Sequence, residues 1–122
     1  MQGAKIAVFE DDTSHQKLIA EVASIYGHEV VLSANSLRFA MESLDLVAQG
    51  VIKVDAYILD GNLGVERDGR DARIIAQKMG ELGLGGLLIG YSANEYPVPV
   101  DFDSEKDALA AMDFITDYEV GK

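Results

Sequence analysis

Three carboxylates stand at the ends of two short apolar runs in this 122-residue chain: Glu10 and Asp11 follow Lys5 to Phe9, and Asp60 follows Val54 to Leu59. A hydroxyl, Ser92, follows another such run, Leu87 to Tyr91. In open α/β sheets ligands collect at the carboxyl ends of the strands, near the point where strand order reverses. If the first and third runs are neighbouring strands, the three carboxylates converge in one pocket. Their repulsion then calls for a cation, and hard oxygen donors at that density suit Mg²⁺.

The elements that would position these groups alternate along the chain. Lys5 to Phe9 reads as a strand, and Thr13 and Ser14 are suited to cap the helix after it. Leu18, Val22 and Ile25, widened by Ile19 and Tyr26, form its apolar stripe, and Gly27 closes it. Val30 to Leu32 is a second strand, with Asn35 or Ser36 capping a helix that carries Leu37, Met41, Leu44 and Ala48, ended by Gly50. After the third strand, a helix from about Gly69 presents Ala72, Ile75, Ala76 and Met79. Leu87 to Tyr91 is the fourth strand and Val98 to Phe102 a weaker fifth, and a last helix from about Ser104 turns Leu109, Met112 and Ile115 inward. Strand–helix alternation predicts a doubly wound parallel α/β sheet covered on both faces. Only Ser92 to Pro97 separate strands four and five, too few for a full crossover helix, so a fourth helix is reduced or missing. Pro97 and Pro99 suit an edge strand, because both could turn their nitrogens to solvent.

Composition narrows the function classes. The length fits a single domain over residues 1–122, and 48% hydrophobic with 25% charged residues is a globular mixture. A net charge of −11 argues against a direct nucleic-acid surface. With no cysteine, disulfides and thiolate metal sites are excluded, and no apolar run approaches transmembrane length, so the expectation is a cytoplasmic protein without membrane contact.

With these elements in place, three segments show a resemblance. IAVFEDDTSHQKLI resembles the first strand and helix of response-regulator receiver domains, with Glu10 and Asp11 matching the acidic pair; LDGNLG resembles the phosphoacceptor motif; IGYSAN resembles the end of strand four. The resemblance implies a flavodoxin-like five-stranded sheet of order 2-1-3-4-5, with Asp60 as phosphoacceptor. Mg²⁺ would be held by Glu10, Asp11, Asp60 and the main-chain carbonyl of Asn62, and Ser92 would hydrogen-bond the phosphoryl group. Phosphoryl transfer would come from a histidine kinase, a histidine phosphotransfer protein or a small acyl phosphate. Such a domain catalyses only its own phosphorylation and dephosphorylation and is not a turnover enzyme. With helix four reduced, the face through which many such regulators dimerise is incomplete, and a monomer is expected.

Two departures stand out. Receivers usually carry a lysine at the end of strand five; VDFDS stands there, and the nearest cation is Lys106, expected at the start of the last helix. Gly64 replaces a common proline. A phosphorylation-independent receiver-like adaptor is therefore an alternative, against which the intact acidic cluster argues. A haloacid-dehalogenase-like phosphatase would need a second Asp where Asn62 stands. Plainer roles also suit single residues: Asp12 as a cap, Asn62 as a turn former, Ser92 as a loop hydroxyl, His15 as a surface histidine near the rim, and His28 as a structural residue in a turn. The glycines from Gly80 to Gly86 precede a strand, so they form a connection and no phosphate loop.

Overall fold

The computed structural model describes residues 3–60, 69–92 and 99–120. Among these residues, five strands and four helices follow in the order β1 (Lys5–Phe9), α1 (Thr13–Ile25), β2 (Glu29–Ala34), α2 (Leu37–Ala48), β3 (Ala56–Leu59), α3 (Arg70–Glu81), β4 (Leu87–Gly90), β5 (Phe102–Asp103) and α4 (Ala108–Val120). The strands form one sheet of order β2-β1-β3-β4-β5, and every pairing is parallel. The expected doubly wound order is present, with β5 at an edge. No helix among the described residues is long and apolar enough to cross a membrane.

Strands buried on both faces need apolar residues at successive positions, which is why β1 and β3 read as unbroken apolar runs. Ile6, Val8, Ala56 and Ile58 point to one face and pack with α1 and α4. Ala7, Phe9, Tyr57 and Leu59 point to the other and pack with α2 and α3.

The buried helix faces differ from the expected stripes by a fraction of a turn. In α1, Ile19, Val22 and Ala23 are buried, whereas Leu18 and Ile25 are 44% and 81% exposed. In α2, Leu44 is buried beside Ala40, Leu37 and Met41 pack partly buried against the same cluster, and of the expected stripe Ala48 alone is exposed. In α4, Ala108, Ala111, Met112 and Ile115 enter the core and Leu109 is exposed. In α1 and α4 the inward face carries Ala23 and Ala108 with Ala111, small residues that let a helix lie close to the sheet. A stripe chosen by side-chain size misses that rotation.

The β4–β5 region departs most from expectation. β5 is two residues long, shifted from the expected Val98 to Phe102, and α4 begins at Ala108 instead of near Ser104. Asp101 donates its N–H to Leu88 O and its carboxylate accepts the Leu88 N–H at 2.7 Å, so a side chain substitutes for part of the ladder. Asp55 does the same for β1, its carboxylate taking the Lys5 N–H at 2.9 Å. Pro99 is exposed. Between β4 and β5 there is no helix among the described residues; Pro97 and the rest of 93–98 lie outside them.

Candidate functional site

Hydrogen bonds running one residue past each strand set the site's floor. Glu10 N–H donates to Ala34 O, Asp60 N–H to Phe9 O at 2.8 Å, Tyr91 N–H to Leu59 O at 3.0 Å, and Ser104 N–H to Gly90 O at 2.9 Å. Each step carries the first residue after a strand onto its neighbour. The ends of β1, β3, β4 and β5 therefore lie side by side at the carboxyl edge.

Glu10, Asp11 and Asp60 meet there, each offering a carboxylate oxygen within 4.8 Å of the others. Glu10 and Asp60 are 1% and 7% exposed, which is unusual for ionisable groups without compensation. Burial, with the charge of Asp60 adding to it, pushes the Glu10 carboxyl up to about 7 against the hydrogen bonds from Lys106 and the Asp12 N–H. Three hard oxygen donors at this separation fit a small divalent cation. Ser92 sits half-buried just past β4, on the strand beside β3. Asn62 and Gly64 lie outside the described residues.

Lys106 reaches this cluster. Its Nζ is 2.8 Å from Glu10 Oε2 and 3.4 Å from Asp60 Oδ2. Burial works against its charge, yet the Glu10 hydrogen bond and the charge of Asp60 outweigh that and raise its pKa. The residue does not stand on the helix as the spacing suggested. It lies in the turn before α4, where Glu105 and Lys106 adopt φ values of 52° and 64°. Ser104 Oγ donates to Gly90 O at 2.7 Å, and Asp107 caps α4 by accepting the Ala110 N–H. This left-handed turn swings a lysine beyond β5 back to the pocket.

The opposite wall is built by α1. Asp12, not Thr13 or Ser14, caps it, accepting N–H groups from Ser14 at 2.8 Å and His15 at 3.4 Å. Gln16 Nε2 donates to Glu10 O. His15 Nδ1 shares a 2.9 Å hydrogen bond with Tyr91 OH, and the Lys106 ammonium lies 5.1 Å from the Tyr91 ring centroid. Burial, then the charges of Glu10, Asp107, Asp12 and Asp60, push the Tyr91 phenol up to about 12, so it stays neutral. In the sequence Tyr91 stands only as the end of the fourth strand, without a role at the site. Its only signal was a large polar-tipped ring directly before Ser92.

The sequence matches no family model and no curated protein. Solved structures are similar in fold. They include the receiver domain of the response regulator PhyR from Erythrobacter litoralis (TM-score 0.61, 13% identity, 97% of this chain and 92% of that one). A receiver-domain protein from Bacillus halodurans gives TM-score 0.66 at 16% identity over 93% of this chain and 97% of its own. The N-terminal domain of a three-domain response regulator from Carboxydothermus hydrogenoformans gives 0.57 at 21% identity, with 96% and 98% covered. The fold is that of response-regulator receiver domains.

Proposed function

We propose that this domain receives a phosphoryl group on Asp60 from the phosphohistidine of a kinase or phosphotransfer protein, or from a small acyl phosphate, and relays a signal by changing shape. The observation that carries this reading is the meeting of Glu10, Asp11 and Asp60 at the ends of adjacent strands, with one ammonium among them. Glu10, Asp11 and Asp60 would hold Mg²⁺, which when bound would neutralise charge growing on the phosphoryl oxygens.

In the transfer, an Asp60 carboxylate oxygen forms a bond to phosphorus as the bond from phosphorus to the donor nitrogen or oxygen breaks, and that electron pair leaves with the donor. Lys106, 3.4 Å from Asp60 Oδ2, is placed to pair with the added negative charge, the role for which β5 offers no lysine. Ser92, one strand over, would donate its hydroxyl to the phosphoryl group and shift the β4 end that partners read. The domain would catalyse only its own modification. Acetyl phosphate with Mg²⁺ should add the mass of one phosphoryl group, and Asp60→Asn should abolish the addition, as read by intact-mass spectrometry. Addition that persists in Asp60→Asn would refute the acceptor. No addition to the wild-type chain would favour the adaptor reading.

A further inference from the structure

Lys106 holds Glu10 Oε2 at 2.8 Å, while the other Glu10 oxygen accepts the Asp12 N–H at 3.1 Å. The ammonium also lies 3.4 Å from Asp60 Oδ2. It is thus engaged with two of the three carboxylates that group for cation binding. Building on the divalent-cation site proposed above, we propose that Lys106 is a built-in occupant of that site, which neutralises Glu10 and Asp60 in the cation-free chain and withdraws from Glu10 when a divalent cation enters.

Two positive charges cannot share one carboxylate oxygen at these distances without strong repulsion, because Glu10 is buried and the interaction is weakly screened. Lysine suits such an exchange, being a compact charge on a flexible stem. A second surface for it is already at hand, since the Tyr91 ring centroid is 5.1 Å from the ammonium. The backbone favours release as well. Glu105 and Lys106 are consecutive left-handed residues without glycine, a conformation that persists only where surrounding contacts enforce it. Loosening the Glu10 contact removes one of those constraints. Cation affinity is then set by an exchange of charges and not by the carboxylates alone, and the displaced ammonium stays near Asp60 to meet a phosphoryl group.

The test is titration of the whole chain with Mg²⁺ and with Mn²⁺, by calorimetry and by Mn²⁺ electron spin resonance. Lys106→Met removes the charge and keeps an unbranched stem; Lys106→Asn removes it and also suits the left-handed backbone. Both should bind the cations about tenfold tighter, a conservative share of the coupling between charges ~4 Å apart near a protein surface. Lys106→Arg should stay near wild type. The rise in melting temperature on adding Mg²⁺ should be larger in Lys106→Met than in wild type. Unchanged or weaker affinity in Met and Asn, with binding still lost in Asp11→Ala, would overturn the exchange while the site stands. Tightening in Asn alone would assign the effect to the backbone and also overturn it. Absence of binding in every protein would overturn the exchange and the site together.

Discussion

Helix α4 is tied to the β1 segment at both ends, by two different kinds of chemistry. Near its carboxyl end, the buried His28 bridges the two: its Nδ1 accepts the Ala4 N–H at 2.9 Å, and its Nε2 meets Thr116 Oγ1 at 2.8 Å. Since Nδ1 accepts, the neutral ring carries its proton on Nε2 and donates it to the hydroxyl. Ahead of the helix's amino end, Lys106 bridges to Glu10 through charge, from a strained turn. The neutral tie pairs both ring nitrogens without a charge to compensate, and Tyr26 stacks on the ring. The charged tie leaves a second carboxylate and an aromatic face in reach. One end is built to stay shut and the other to trade partners.

The largest expected effect lies between the ties and should touch neither. Ile115 is fully buried, and Ile115→Ala should cost roughly 2–5 kcal/mol from lost burial and the cavity left behind. Urea unfolding measures that loss, and the folded variant should keep wild-type cation affinity. A changed affinity would show that the two regions are not separable.

His28→Gln should cost about 1–3 kcal/mol near pH 8, by leaving a buried partner unpaired. Burial lowers the His28 pKa below its ordinary 6.5, with the charge of Glu119 opposing. The unfolded chain therefore takes up the proton first as pH falls, and the stability due to the neutral ring is lost below about 6.5. The gap between wild type and His28→Gln should accordingly shrink from pH 8 to pH 5, as followed by thermal unfolding. A gap independent of pH would refute the neutral clamp.

Legibility in the sequence divides along the same line. Glu10 and Asp60 were readable because each directly follows a buried apolar run, which fixes both its depth and its edge of the sheet, and Asp11, one residue further on, shares the edge but not the depth. The doubly wound class followed from the alternation, and the strand order from the resemblance alone. The second wall of the pocket was not readable, because it depends on backbone geometry without a residue signature. Left-handed turns usually announce themselves by glycine or asparagine, and here Glu105 and Lys106 occupy one. The role of Asp101 was hidden likewise, since a carboxylate substituting for a strand's hydrogen bonds looks like any acidic loop residue.

The smallest expected effect tests the strain itself by opposing two substitutions, one at each end. Gly27, just before His28, has φ 81°, and a Cβ there would meet nothing within 4 Å, so Gly27→Ala isolates conformational cost and should destabilise by about 1 kcal/mol. Glu105 holds a similar conformation with a side chain, φ 52°. An L-residue in this region costs roughly 1–2 kcal/mol, and glycine gives back about 0.5–1 through the entropy of the unfolded chain. The replacement also removes a negative charge from a chain of net charge −11. Glu105→Gly should therefore stabilise the cation-free domain by about 0.5 kcal/mol, opposite in sign to Gly27→Ala, as measured by paired chemical denaturation. If both substitutions destabilise alike, the Lys106 turn carries no strain worth releasing, and the contrast between a shut end and a trading end would rest on charge alone.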